Sequence, residues 1–110
     1  MIQFIITGPI PPKKNIIKFG NGRFYRPDSF YQFQKNAILE IQSQVKQTIV
    51  PKKVILNFTL IRDKDWDNVA GMVSDLLEAA GVIKNDKEIK DVHVTKTKGT
   101  KEFCEVIIYD

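Results

Sequence analysis

Three aspartates stand at places where the sequence changes from one type of secondary structure to another. Asp65 and Asp67 lie one residue apart in the segment DWDN, at the predicted junction between a strand and a helix, and Asp86 follows the expected end of that helix. Carboxylate oxygens are the ligands that hard divalent ions such as Mg²⁺ and Mn²⁺ prefer. If the three side chains converge, they predict a divalent-metal site.

Each of these acids also has a purely structural interpretation. Asp65 or Asp67 is a suitable helix N-cap, and Asp86 is a common type of turn residue. For any one of them alone, this interpretation is the more common outcome. One helix needs only one N-cap, however, and Asn68 could fill that role as well. The three acids taken together therefore favour a metal site over three unrelated caps and turns.

Positive charge is concentrated ahead of these acids, in the first quarter of the chain. The protein has 17 basic and 13 acidic residues and a formal net charge of +4. The segment before Asp28 contains no acid, whereas the rest of the chain is nearly balanced, with 12 basic and 13 acidic residues. A basic segment beside a metal site suits a phosphodiester substrate, although a solvated basic loop is an equally common source of such a bias. Its basic residues are Lys13, Lys14, Lys18, Arg23 and Arg26.

Length and composition indicate one soluble domain over residues 1–110. Such a chain is large enough for one modest core, and its hydrophobic fraction of 43% and charged fraction of 27% are ordinary. The single cysteine, Cys104, excludes an intrachain disulfide and suits a reducing cytoplasm. The apolar run over residues 1–7 lacks a basic leading region and ends at Gly8-Pro9, so we interpret it as a strand. We therefore expect a cytoplasmic protein without a membrane span.

Hydrophobic periodicity predicts a mixed β-sheet with two helices, a small α/β fold of the α+β type. Apolar residues at spacings of three and four mark the helices, and alternation marks the strands. Asp28 or Ser29 can cap the first helix, and Gly81 suits the left-handed position after the second. The expected elements are strands over 2–7, 54–62, 91–98 and 102–109, a hairpin of 16–19 with 23–26, and helices over about 28–48 and 67–81.

The second helix is expected to turn a polar face toward the metal site. Asp67, Gly71, Ser74 or Asp75, and Glu78 recur at spacings of three and four, so they share one side of the helix. The end of the preceding strand aims the first acid of the DWDN segment at the same place. The third acid must return to it through the loop after the helix, which is long enough to do so.

Several motifs, in order along the chain, resemble the core signature of the RusA-like Holliday junction resolvases. That signature runs approximately D-x-D-N-x-x-K-x-x-x-D-x-L, followed by a short helix end and D-D-x-x-[IV]. This chain has DWDN at 65–68, DLL at 75–77, AG at 80–81 and NDKEI at 85–89, and its PPKKN at 11–15 is similar to an early turn of the family. The resemblance covers most of the chain.

This resemblance implies a metal-dependent endodeoxyribonuclease that acts in DNA recombination and repair. It implies a mixed α/β homodimer that binds four-way DNA junctions and cleaves two strands symmetrically with Mg²⁺ or Mn²⁺. By resemblance, Asp65, Asp67 and Asp86 are the catalytic, metal-binding carboxylates. Basic residues of the first quarter and lysines near the acids are then the candidate DNA contacts, namely Lys13, Lys14, Arg23, Arg26, Lys64, Lys84 and Lys87.

Two positions depart from the family signature. The helix lysine of the family falls at Gly71, which carries no side chain, and the first acid of the D-D pair is Asn85. Three explanations stand open for the missing lysine: Lys64, Lys84 or Lys87 replaces it from a neighbouring segment, the metal ion alone stabilises the developing charge, or catalysis is weak. In the last case the protein binds junctions with little or no cleavage. An α/β interaction domain whose acids are only caps is a further possibility.

The sequence favours structural interpretations for three other side chains. Trp66 is expected to pack in the core or at a dimer contact, in preference to stacking on an unpaired base. His93 falls in phase with Asp91 and Thr95 on a predicted strand, so we expect it to face solvent or a partner. Cys104 is expected to be a small buried residue of the last strand.

Overall fold

The computed structural model describes residues 1–11 and 26–110, together with the backbone of 18–20 and 23–25. Lys13, Lys14 and the side chain of Arg23, all candidate DNA contacts, therefore lie outside the described part of the chain. The elements are β1 (Ile2–Thr7), β2 (Lys18–Gly20), β3 (Arg23–Tyr25), α1 (Asp28–Gln44), β4 (Lys53–Leu60), α2 (Trp66–Ala79), a 3-10 turn (Asp86–Glu88), β5 (Val92–Lys98) and β6 (Phe103–Tyr109).

The strands of the described chain form a mixed sheet in the order β1-β6-β4-β5, and β2 pairs with β3 as a separate hairpin. The β4–β5 pair is parallel, whereas β6 is antiparallel to both of its neighbours. A parallel pair needs a crossover, and α2 together with the loop that carries the 3-10 turn supplies it. These findings confirm the predicted mixed sheet with two helices.

One face of the sheet forms the core with the two helices. Every second residue of β4 is buried, from Val54 to Leu60. Facing them are the apolar stripes of both helices, which include Ile41 of α1 and Leu76 of α2, each fully buried. The opposite face of β4 is only half-buried. A sheet with one packed face and one more open face accounts for the alternation in the sequence, and it leaves α2 anchored along its apolar side.

α1 ends a few residues earlier than the sequence predicts. α1 ends at Gln44 and not near Thr48, because Val45 is already extended, with φ −125° and ψ 121°. The hydroxyl group of Thr48 instead donates a hydrogen bond to the carbonyl oxygen of Gly81, at 2.6 Å. Gly81 has φ +80°, as expected for the left-handed residue after α2.

The two closing strands are not neighbours, although the sequence places a turn at Gly99 between them. β4 lies between β5 and β6, so the chain passes from one side of β4 to the other at residues 99–102. The N–H of Gly99 donates to the carbonyl oxygen of Leu60 at 2.9 Å. A Cβ atom at position 99 would lie 2.5 Å from Cγ2 of Thr59, so this crossing requires glycine.

No helix in the described ranges is both long enough and apolar enough to cross a membrane.

Candidate active site

The backbone at the start of α2 presents Asp65 and Asp67 differently. Asp65 is the N-cap residue, with φ −60° and ψ 126°, and its carbonyl oxygen accepts from Asn68 N and Val69 N, both at 3.2 Å. Its side chain makes no capping hydrogen bond within the described chain. The Oδ1 atom of Asp67 accepts from the N–H of Asn68 at 3.0 Å. The carboxylate of Asp65 therefore does not cap the helix, although capping is the structural explanation that the sequence offers for it.

A capped turn presents Asp86 after α2. Asp86 is the first residue of the 3-10 turn and is half-buried. The Oδ1 atom of Asn85 accepts from the N–H of Lys87 at 3.0 Å, and Oε1 of Glu88 accepts from the N–H of Asn85 at 3.2 Å. This reciprocal pair is a capping box. Asn85 thus fixes the turn, although it departs from the acid of the family signature.

Asp67 and Asp86 line the same cavity, of about 330 Å³, together with Trp66, Gly71 and Ser74. The places of Asp67, Gly71 and Ser74 on one cavity confirm that these positions share one face of α2. Apolar side chains from the first halves of β4 and β5, Val54, Leu56 and Val92, complete the cavity on the sheet side. The loop after α2 therefore does return the third acid to the helix, as the sequence predicts. The cavity runs along the helix, and β4 lines it with its first half and not with its carboxyl end, where the sequence places the site.

The donor chemistry of this cavity fits a hard divalent ion. Asp67 and Asp86 contribute carboxylate oxygens and Ser74 contributes a hydroxyl group, which is the ligand type that Mg²⁺ and Mn²⁺ favour. Asp65 is exposed and is not among the residues that line the cavity. Across residues 1–11 and 26–110, no three His, Cys, Asp or Glu side chains form one group close enough to hold a metal ion. The complete set of three ligands stays a prediction.

The lysines nearest to these acids in the sequence do not line the cavity. The Nζ atom of Lys64 binds the carbonyl oxygen of Ile10 at 2.8 Å and the carboxylate of Glu102 at 2.5 Å. Lys87 lines a separate surface depression, and Lys84 is exposed. Among the described residues, no lysine or arginine lines the cavity that contains Asp67 and Asp86. That a neighbouring lysine replaces the one missing at Gly71 stays a prediction.

Arg26 is the one described cation of the first quarter whose side chain is placed. Its guanidinium carbon lies 4.4 Å from the centre of the Phe30 ring, in a cation–π arrangement. Phe30 is buried at the start of α1, so this contact ties the end of the basic segment to the core.

Trp66 does not pack in the core, so that part of its predicted role is wrong, whereas a dimer contact stays a prediction. Its side chain is 55% exposed, because the buried face of α2 begins only at Asn68 and Val69. Trp66 instead borders the cavity with Asp67 and Asp86. His93 is exposed, as predicted, and its Nε2 atom lies 3.0 Å from Oδ1 of Asp91.

Cys104 is buried, as predicted, and burial raises the pKa of its thiol well above the usual range. Such a thiol is a packing residue and a poor nucleophile.

Sequence reasoning missed the burial of two polar residues. Asn68 is 6% exposed, and its side-chain oxygen has no hydrogen-bond partner among the described residues. The feature of the sequence that could have drawn attention to Asn68 is its place in the DWDN motif. Glu102 is 8% exposed and holds Lys64 and Ile10. Nothing in the local sequence distinguishes it from a surface acid at the start of a strand.

Comparison with known proteins agrees with the motifs. The sequence model of the family Endodeoxyribonuclease RusA matches residues 8–109. A crossover junction endodeoxyribonuclease RusA from Aquifex aeolicus is 33% identical over 92 residues, which cover 80% of this chain and 73% of that protein. The matched region includes both aspartate motifs, the basic first quarter and every element of the sheet except the first strand. The chain belongs to the RusA family of endodeoxyribonucleases.

Proposed function

We propose that this protein is a divalent-metal-dependent endodeoxyribonuclease that resolves four-way (Holliday) or branched DNA junctions in DNA recombination and repair. The observation that carries this proposal is the shared cavity of Asp67 and Asp86 in a chain of the RusA family. A nuclease of this kind would act on DNA in the cytoplasm, which the single buried cysteine also favours.

Asp65, Asp67 and Asp86 are the residues that would hold Mg²⁺ or Mn²⁺. When bound, such an ion activates water for in-line attack on the phosphodiester and stabilises the leaving oxygen. The chain contributes the positions of the carboxylates. The first turn of α2 fixes Asp67 through the N–H of Asn68, and the capping box fixes the turn that begins at Asp86.

DNA binding would depend on cations outside the cavity. Lys13, Lys14, Arg23 and Arg26 belong to the segment that carries all of the surplus positive charge, and each phosphate that they contact releases counterions. Lys64, Lys84 and Lys87 flank the aspartate motifs in the sequence and are the remaining candidates. A four-way junction presents two equivalent strands for cleavage, so a two-fold homodimer suits the task.

A second candidate function is junction binding with little or no cleavage. It is favoured by Gly71, which lines the cavity without a side chain where the family has a lysine, and by the lack of any described lysine or arginine around that cavity. A cation at this position would stabilise charge on the phosphate or the leaving oxygen. The two functions differ only in turnover, because both require the same DNA surface.

A cleavage and binding assay separates these functions. Four-way, forked and linear DNA are each incubated with the protein in Mg²⁺, Mn²⁺ or EDTA, and binding is measured in parallel in Ca²⁺. We expect metal-dependent cleavage of the four-way substrate and its loss in EDTA. Tight binding without cleavage in either metal would establish the second function, and neither binding nor cleavage would refute both.

A further inference from the structure

A surface depression at the carboxyl ends of β4 and β5 holds three cations that the candidate site does not use. We call it the carboxyl-end depression, and its volume is about 540 Å³. Its charged residues are Arg62, Lys96, Lys98 and Asp63. Three cations and a single acid give this part of the described surface a formal charge of +2.

Strand register places the two lysines on the same face of the sheet as the cavity of the candidate site. In the parallel β4–β5 pair, Lys96 lies beside Phe58 and Lys98 lies beside Leu60. Phe58 and Leu60 are buried in the core beneath the helices, and residues in register share one face of a sheet. Val92 lies on that face of β5 too, and it lines the cavity. One face of β5 therefore runs from the cavity to the carboxyl-end depression.

Lys96 joins this depression to the start of α2. Its Nζ atom donates to Oδ1 of Asp63 at 2.7 Å and to the carbonyl oxygen of Lys64 at 2.9 Å. Only one C=O bond and one C–N bond separate that oxygen from the backbone nitrogen of Asp65, so Nζ lies at most about 5.5 Å from this nitrogen. The depression therefore adjoins Asp65, the N-cap residue of α2.

The other two cations of the depression are available to an anionic partner. Arg62 and Lys98 are exposed, and neither forms an ion pair within the part of the chain that the structure describes. Lys98 is two residues beyond Lys96, about 6.6 Å farther along β5. Asp63 is already paired with Lys96, and the hydrogen bond from that lysine lowers the pKa of Asp63. The single acid of the depression therefore does not neutralise Arg62 or Lys98.

We propose that the carboxyl-end depression binds backbone phosphates of DNA through Arg62 and Lys98, an inference that rests on the proposed function. Open α/β sheets tend to bind ligands outside the carboxyl ends of their strands. A DNA strand that places one phosphate at Asp65 carries further phosphates close by, at about 3.4 Å intervals along the helix axis. Arg62 can bind a phosphate through two parallel N–H donors, and Lys98 binds as a point charge. Lys96 is a positioning residue that holds the segment leading to Asp65.

The test measures how salt affects the binding of a four-way junction in Ca²⁺. Dissociation constants are determined over a salt series for the wild type, Arg62→Gln, Lys98→Gln and the double variant. Glutamine keeps a polar side chain and removes the charge. We expect each single variant to bind more weakly and to reduce the magnitude of the log–log slope by about one unit, and the double variant to reduce it by about two. Wild-type slopes in all three variants overturn the proposal.

Lys46→Gln is the matched control for the loss of one positive charge. Lys46 is exposed and lines a different depression with Ala80 and Gly81, at the C-terminal end of α2. Its substitution should leave the slope unchanged. If Lys46→Gln flattens the slope as much as Arg62→Gln and Lys98→Gln do, the effect comes from net charge alone and the proposal is overturned.

Asp63→Asn tests the same surface with the opposite sign. The asparagine oxygen can still accept from Lys96, while the only negative charge of the depression is removed. Binding should therefore become tighter, a result that damage to the fold would not produce. Weaker binding by Asp63→Asn together with weaker binding by Arg62→Gln and Lys98→Gln would identify the depression as a structural element and overturn the proposal.

The wild-type protein separates this proposal from the proposed function. A wild type that binds the four-way junction, with unchanged slopes in Arg62→Gln and Lys98→Gln, overturns the phosphate-binding surface alone. A wild type that neither binds nor cleaves junctions overturns the surface and the proposed function together.

Discussion

Asp67 and Asp86 face one cavity although they come from different elements, the first turn of α2 and the capped turn that follows this helix. The helix positions between them are Gly71, which has no side chain, and Ser74, so no cation of α2 fills the space beside the acids. Carboxylate oxygens on one cavity are the ligand type that hard divalent ions prefer. This arrangement is the physical basis for the metal site that we propose.

Loss of either cavity aspartate should stop cleavage but not binding. Asp67→Asn and Asp86→Asn each keep the side-chain shape and remove one negative charge. We expect cleavage of a four-way junction to fall at least about 100-fold, because even the loss of a group that only supports a metal ligand costs 10–100-fold. Binding should be unchanged or tighter, since less negative charge faces the phosphates. Asp65→Asn should behave in the same way, and wild-type turnover by all three variants would refute the metal assignment.

The basic first quarter should account for much of the salt dependence of binding. Lys13→Ala and Lys14→Ala should each reduce the magnitude of the slope of log affinity against log salt by about one unit. Each phosphate contact releases counterions when it forms, and a variant that lacks the contact no longer releases them. Titrations of a four-way junction between low and moderate salt provide the measurement. If both variants keep the wild-type slope, the DNA surface lies elsewhere and these lysines belong to a solvated loop.

Restoring the family lysine at position 71 should raise the cleavage rate. Gly71→Lys places a cation one helical turn from Asp67, on the face that lines the cavity. Gly71→Met is the control for helix propensity and bulk, and it should not raise the rate. Single-turnover cleavage of a four-way junction is the measurement.

The competing explanation for position 71 predicts a different set of results. If another lysine already serves, Gly71→Lys should be neutral or harmful, and one of Lys64→Ala, Lys84→Ala or Lys87→Ala should remove activity. If Lys64→Ala loses cleavage activity, junction binding must be measured as well, because Lys64 also binds the carbonyl oxygen of Ile10 and helps to hold residues 8–11 in place.

The crossing between β5 and β6 should be sensitive to a single methyl group. Gly99→Ala introduces a Cβ atom 2.5 Å from Cγ2 of Thr59, an overlap that should cost about 1–3 kcal/mol of unfolding free energy. Thr59→Ser removes that Cγ2 atom, so the double variant should recover most of the loss. Denaturant unfolding of the four proteins gives the result. If Thr59→Ser does not rescue Gly99→Ala, the contact is not the cause of the effect.

The sequence predicts those parts of the fold that depend on local pattern. The alternation from Val54 to Leu60 identifies a strand with one buried face, and the spacing of Asp67, Gly71 and Ser74 identifies one face of α2, because both follow from the backbone period alone. Gly81 marks the end of the helix through its left-handed conformation.

Features that depend on long-range packing did not follow from the sequence. The insertion of β4 between β5 and β6 is a matter of sheet order, which local periodicity does not encode. Trp66 is exposed because it precedes the buried face of α2 by two residues, so its apolar character does not indicate a place in the core. Glu102 acquires its role from a loop more than 90 positions away, since it accepts from Ile10.

Binding of Mn²⁺ to the protein is the most direct test of the metal site, because it does not depend on DNA. Titrations followed by electron paramagnetic resonance would compare the wild type with Asp67→Asn, Asp86→Asn, the double variant and Glu78→Gln. We expect saturable binding by the wild type and by Glu78→Gln, an affinity at least about tenfold weaker in each single aspartate variant, and little further loss in the double variant. Equal Mn²⁺ affinity in all five proteins would contradict the assignment of Asp67 and Asp86 to one metal site.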